Sequence, residues 1–188
     1  MKNNIIMNSE EIDRAIKRMA HEIIEKNKGT KNLAIIGIQT TGVYLASRLA
    51  EQIGKIESQK IPVGVLDITL YRDDVGTIAH QPLVKETNIP FNINNRIIIL
   101  VDDVLFAGRT VRAALDEIID FGRPKAIRLA VLVDRGHREL PIRADFVGLK
   151  ITTTMNDTVI VELKESKKYD QDRVVIQRQS PPIFCKAK

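Results

Sequence analysis

Two adjacent carboxylates, Asp102 and Asp103, follow the unbroken apolar run Ile97-Ile98-Ile99-Leu100-Val101 and precede Val104, Leu105, Phe106, Ala107, Gly108, Arg109 and Thr110. Ionised carboxylates offer only acceptor oxygens, which match the hydroxyl donors of a ribose better than they match a phosphate. A phosphate has its own place nearby. Gly108 lets the backbone turn closely, and Arg109 and Thr110 open a stretch whose apolar residues Val111, Ala114, Leu115, Ile118 and Ile119 recur at helical spacing. The free N–H groups and positive dipole end of such a helix attract phosphate oxygens. The order of residues therefore suits a sugar that carries phosphates. A plain strand-to-helix turn capped by Thr110, with solvated acids beside it, explains any one of these residues but not their combination.

Two other groups could do chemistry. Gln39-Thr40-Thr41-Gly42 follows the apolar run Leu33 to Ile38, where a glycine-containing turn can offer backbone N–H groups to an anion, or can simply be a turn. Arg14, Lys17, Arg18 and His21 form a row two residues out of phase with the apolar stripe Ile12, Ala15, Ile16, Met19, Ala20 and Ile23. At 100° per residue that offset turns the row roughly 200° away from the core. A basic row of this kind is ordinarily a solvated face. The three histidines show no metal-site spacing.

The elements that must position these residues follow from periodicity and punctuation. Asn8-Ser9 with Glu10, Glu11 and Asp13 starts a helix over 9–28, stopped by Gly29. Leu33 to Ile38 is a strand, and Val43 to Ile53 returns as a helix burying Val43, Ala46, Leu49, Ala50 and Ile53. Val63 to Leu70, Ile97 to Val101 and Ile127 to Val133 read as further strands, the last two joined by the helix that opens near Arg109 and ends at Gly122. Strand, helix, strand in this order implies right-handed parallel crossovers. Tyr71 to Asn95 has neither helical nor strand period and contains Gly76, Pro82 and Pro90, so about 71–95 is expected to be a lid or extended hairpin. Phe146 to Ile151, Thr158 to Leu163 and Arg173 to Gln177 are short strands for the sheet edge or its end, and 179–188 reads as a disordered tail.

The run Val101 to Thr110 resembles the 5-phosphoribosyl-1-pyrophosphate (PRPP) signature of type I phosphoribosyltransferases. More narrowly, 67–74, 101–106 and 132–145, with 20–25, are similar to the branch of that family that controls pyrimidine operons by attenuation, a likeness spanning about 5–177. It implies an α/β fold with a central, mostly parallel sheet flanked by helices, a small hood and a flexible lid. It also implies that Asp102 and Asp103 act catalytically at the ribose hydroxyls, with Val104 to Thr110 around the 5′-phosphate and Thr40, Thr41 and Gly42 at the pyrophosphate. Mg2+ would be carried by PRPP or pyrophosphate, with no protein metal cage. Many relatives have arginine at the Thr41 position and threonine at the Ala107 position, and both departures imply weak uracil transfer. Purine-specific relatives place a carboxylate at the Phe106 position; phenylalanine there suits a pyrimidine.

The same likeness implies PRPP, uracil and UMP or UTP as ligands. A homo-oligomer, dimer or higher, would bind a leader messenger RNA hairpin through Arg14, Lys17, Arg18, His21, Arg138 and Arg143. An aromatic content of 4%, with none in the basic row, argues against a single-strand stacking platform and for phosphate and shape recognition. The competing reading is a salvage enzyme whose basic face has no RNA role. With 188 residues, 44% hydrophobic and 28% charged, one soluble domain over 1–178 is expected. A net charge of +5 permits nucleic acid as a partner. No apolar run reaches membrane length and the first residues lack a signal-peptide layout, so the expected location is the cytoplasm. Cys185 is the single cysteine, which excludes an internal disulfide.

Overall fold

The structure, a computed structural model, describes residues 2–69 and 86–178. Helix α1 (Ser9–Asn27) begins at a reciprocal capping box, Glu11 N–H donating to Asn8 Oδ1 at 3.0 Å and Asn8 N–H to Glu11 Oε2 at 2.8 Å. It ends where Lys28 turns left-handed. Its buried stripe is the expected one: Ile12, Ala15, Ile16, Met19, Ala20 and Ile23.

Strand β2 (Leu33–Ile38) is buried along its whole length, because helices cover both faces of the sheet. Leu33 and Ile35 join the cluster with α1, while Ala34, Ile36 and Ile38 join a second cluster on the opposite face. Each fully buried isoleucine contributes on the order of 2 kcal/mol of transfer free energy. Helix α2 (Thr41–Glu57), β3 (Val63–Leu66), β4 (Ile97–Leu105), α3 (Arg109–Asp120), β5 (Ala126–Asp134) and β6 (Phe146–Lys150) complete the layered unit. The five strands run β3-β2-β4-β5-β6, and every neighbouring pair is parallel.

A separate antiparallel sheet forms the hood, in the order β1-β8-β7 from β1 (Lys2–Met7), β7 (Thr158–Glu162) and β8 (Arg173–Arg178). Strand β1 was not expected from the sequence. Its partner, β8, lies at the other end of the chain, and Asn4 faces Ile176 in the register. A short 3-10 turn, Lys164–Ser166, connects β7 toward β8.

Several boundaries differ from expectation. Helix α2 starts at Thr41 rather than Val43, and it buries Leu45 where Val43 was expected to face inward. Strand β3 ends at Leu66, short of the expected Leu70. Strand β4 continues past Val101 to Leu105 because β5 still pairs with it there, Asp102 opposite Val131 and Leu105 opposite Asp134. On α3, Ile119 is 63% exposed instead of buried, and Glu117 takes an inward position with Val111, Ala113, Ala114 and Ile118. The Thr87 hydroxyl makes this tolerable by donating to Glu117 Oε1 at 2.6 Å.

Of the stretch expected as a lid, 71–85 lies outside the described residues, as does the 179–188 tail. Residues 86–95 are irregular yet anchored: Asn88 exchanges backbone hydrogen bonds with Val65, and Ile93 is buried with Ile89 and Phe91 packed nearby. No described helix is long and apolar enough to cross a membrane.

Candidate functional site

Strand β2 pairs with β4 only as far as Gly37 opposite Val101. Beyond that point β2 pairs only with β3, as far as Ile38 opposite Leu66, the Gln39–Thr40 peptide is cis, and α2 begins. Gly42, in the first turn of α2, lies against the end of β4; a Cβ built on it would stand 2.5 Å from the Val101 carbonyl oxygen and 3.2 Å from the Asp102 Cα. Only glycine permits that approach. It brings the Thr40–Gly42 turn beside the two carboxylates, and the Thr41 hydroxyl donates to the Asp103 side chain.

Asp102 is buried and Asp103 half-buried. Asp103 N–H donates to Asp102 Oδ1 at 2.9 Å, and Val104 N–H to Asp103 Oδ1 at 2.7 Å. Burial pushes the Asp102 carboxyl well above the usual range, and the neighbouring Asp103 charge adds to that push. Asp103 is also raised by burial, against the hydrogen bonds from Val104 and Thr41 that favour its ionised form. Two adjacent carboxylates in one half-dry site bind a proton more readily than either alone.

Downstream, Phe106, Ala107 and Gly108 carry the chain from β4 into α3. Gly108 is the residue before the helix, with φ 95°, and its α3 neighbours Arg109 and Thr110 are exposed. No side chain caps α3, so the alternative of a plain turn capped by Thr110 does not hold and the first N–H groups are left to other acceptors. The loop is braced from below: Glu139 and Leu140 N–H groups donate to the Ala107 carbonyl at 3.0 and 3.2 Å, and Arg109 pairs with Glu139 at 2.6 Å. The Arg135 guanidinium lies 4.2 Å from the Phe106 ring centroid, and the His137 ring meets Phe106 edge-on at 6.1 Å. Arg135 is itself fixed by Thr153 Oγ1 and the Thr154 carbonyl.

Between this sheet end and the hood lies a cleft of about 470 Å³. Thr40, Thr41, Tyr44 and Asp103 line one wall, and Ser166, Lys168 and Tyr169 reach it from the other. The last three were not singled out from the sequence. They sit in a polar stretch between two hood strands, and only the hood's position over the sheet makes them cleft residues.

The basic row expected on α1 is exposed, with Arg14, Lys17, Arg18 and His21 on one face. Arg18 is partly committed, donating to the Val147 and Gly148 carbonyls at 3.1 and 2.6 Å and to Glu22 at 2.7 Å. Arg143 is also exposed. Arg138 differs from its expected place on an RNA surface: its guanidinium donates inward to the Phe106, Gly136 and Ile142 carbonyls at 2.8, 2.9 and 3.1 Å and pairs with Asp134 at 2.6 Å. With Nε, Nη1 and Nη2 all donating inward, the guanidinium has its N–H groups committed to the loop rather than offered to a phosphate backbone.

The sequence profile of the family described as a phosphoribosyl transferase domain matches residues 3–166. Among the relatives, the Bifunctional protein PyrR of Pelotomaculum thermopropionicum is 57% identical over 91% of this chain and 93% of its own. The proteins of that name from Deinococcus radiodurans and Thermus thermophilus are 59% and 58% identical, over 86% and 85% of this chain and 88% of each relative. In fold the chain is similar to the hypoxanthine-guanine phosphoribosyltransferase of Bacillus anthracis, with a TM-score of 0.71 at 18% identity over 94% of this chain and 98% of that one. The hypoxanthine phosphoribosyltransferase of Trypanosoma cruzi gives 0.71 at 19% over 94% and 97%. A parallel sheet under a hood, paired carboxylates ahead of a glycine turn, and identity this high over nearly the whole length lead to one assignment: the chain belongs to the phosphoribosyltransferase family and, within it, to the PyrR proteins.

Proposed function

We propose that this is a cytoplasmic, uridine-nucleotide-responsive RNA-binding regulator of pyrimidine biosynthesis genes, acting by attenuation, and that it also converts uracil and PRPP to UMP and pyrophosphate. The observation that carries the reading is that Thr40, Thr41 and Asp103 line one cleft, at the strand end where Gly42 packs against Val101 and Asp102 and from which the chain runs into the uncapped start of α3.

In the transfer, the bond from the anomeric carbon of PRPP to pyrophosphate breaks as the uracil nitrogen bonds to that carbon and gives up its proton to solvent, leaving UMP and pyrophosphate. Positive charge develops on the ribose ring, and the Asp102–Asp103 pair is placed to stabilise it while accepting the ribose hydroxyls. Backbone N–H groups after Gly108 take the 5′-phosphate. Mg2+ carried in on PRPP would supply positive charge against the leaving pyrophosphate, and Asp103 with the Thr40 and Thr41 hydroxyls are the cleft oxygens that would hold it. Lys168, across the cleft, supplies a cation where Thr41 supplies none. With that cation on the far wall instead of in the turn, turnover is expected to be weak.

As a regulator, a homo-oligomer presents the exposed faces of α1 to a leader RNA hairpin when the pocket holds UMP or UTP. Linkage makes the effect reciprocal, so RNA tightens nucleotide binding by the same factor. Hairpin binding titrated with UMP tests the reading. Arg14→Ala and Lys17→Ala are each expected to weaken binding and lower the salt slope by about 1, and His21→Ala to weaken binding. Hairpin binding that is absent or indifferent to UMP, with uracil-dependent PRPP consumption intact, leaves a salvage enzyme in its place.

A further inference from the structure

Helix α2 carries a second feature besides the turn at its start. Two turns along it, on the face it shares with the cleft-lining Tyr44, Arg48 reaches across to the hood. Its Nε and Nη2 donate to the two Glu165 oxygens at 2.6 and 2.7 Å, and its Nη1 pairs with Asp172 Oδ2 at 2.7 Å. The other Asp172 oxygen accepts the Lys164 backbone N–H at 2.9 Å. One guanidinium therefore fixes both ends of the stretch 164–172, the stretch that carries Ser166, Lys168 and Tyr169 to the cleft.

The arrangement is rigid by chemistry. A guanidinium fork meeting a carboxylate with two parallel bonds has one geometry, and Arg48 and Asp172 are largely shielded, their side chains 18% and 7% exposed. The Arg48 hydrogen bond holds Glu165 below the usual carboxylate range; at Asp172, burial pushes upward but the Arg48 and Lys164 bonds outweigh it. The three charges therefore persist at neutral pH.

We infer that Arg48 is a positioning residue for the leaving-group side of the cleft, setting the distance between the Thr40–Gly42 turn and the hood wall that carries Lys168. This rests on the functional reading above. It singles out pyrophosphate-bearing ligands: PRPP spans the turn and the hood wall, whereas UMP has no pyrophosphate and is met by the Asp102 to Thr110 segment.

The test compares Arg48→Met, Arg48→Lys and Glu165→Gln with the parent protein in equilibrium binding of PRPP and of UMP, uracil-dependent kinetics and thermal melting. For Arg48→Met the PRPP Kd and KM rise at least about tenfold, while kcat at saturation and the UMP Kd stay within about twofold. Glu165→Gln shows the same split more weakly, and Arg48→Lys, which keeps the charge without the fork, recovers part of the loss. PRPP and UMP affinities that fall together, or a PRPP affinity that does not move, in a variant that melts like the parent overturn the inference. If Arg48→Met does not fold, Glu165→Gln at the more exposed end of the network decides by the same criterion. A parent protein that binds neither ligand refutes the functional reading itself, and the inference with it.

Discussion

Gly42 touches β4 closely enough that a single methyl group placed on it would stand 2.5 Å from the Val101 carbonyl oxygen. Gly42→Ala must therefore push the start of α2 off the sheet end, carrying Thr41 away from Asp103. We expect a loss of about 1–3 kcal/mol in stability from overpacking against backbone, together with nucleotide binding too weak to saturate. Denaturant unfolding and UMP titration measure both; a variant as stable as the parent with unchanged UMP affinity contradicts the packing argument.

The Asp102–Asp103 pair gives a pH dependence of definite sign. Burial raises both carboxyls, so the free protein holds a proton there above the usual carboxylate range, whereas ribose hydroxyls donate to ionised oxygens. UMP affinity should increase as pH rises toward the raised titration of the pair and level off above it, with proton release on binding in that window. Stability carries the opposite sign: the contribution from a raised carboxyl is present below its unfolded-state value and is lost as pH rises through the folded one. Titration calorimetry in buffers of different ionisation heat reads the proton release, and Asp102→Asn should remove most of it, Asp103→Asn less, because burial is the larger cause of the Asp102 shift.

Arg138 and Arg14 look alike in sequence and should behave differently on mutation. Arg138 bonds the Phe106, Gly136 and Ile142 carbonyls and Asp134, so Arg138→Ala should cost about 3 kcal/mol by leaving that half-buried pair and the loop carbonyls without their donor. Arg14 is exposed on α1, and Arg14→Ala should stay within about 0.5 kcal/mol. Equal melting temperatures for the two variants would remove Arg138 from the framework.

Thr41→Arg introduces a cation at the turn where the parent has only a hydroxyl bonded to Asp103. Uracil-dependent consumption of PRPP is expected to rise about tenfold, through charge-assisted bonds to the departing pyrophosphate. Turnover at the parent level would mean that Lys168 already supplies what the leaving group needs.

The parts of this molecule that could be read from the sequence are those whose partners lie close by in the chain. The α1 stripe, the apolar run of β4 and the Gly108 turn into α3 are each specified by residues within a few turns of one another. Strand β1 was not legible because Lys2 to Met7 becomes a strand only by pairing with β8. Phe106 and Arg138 show the same limit at the site: their identities were plain, but the guanidinium stack on one and the inward turn of the other depend on the path of β5 beyond Asp134. Lys168 gave no local signal, since a lysine among polar residues acquires meaning only from the cleft opposite it. Ile119 misled because helical spacing marks a face, and the edge of that face is exposed unless another element covers it.

The register that sets Asn4 against Ile176 and Lys2 against Arg178 also makes the hood depend on two strands far apart in the chain. Synthesis delivers β2, α2, β4, α3, β5 and β6 before β8, so the layered sheet can close while β1 waits unpaired. The hood sheet is complete only once β8 has been made, since β8 lies between β1 and β7. A chain lacking residues 173–178 would keep the carboxylates, the phosphate turn and the Arg48 ties to the 164–172 stretch, but β1 and β7 would lose the strand that joins them into one sheet.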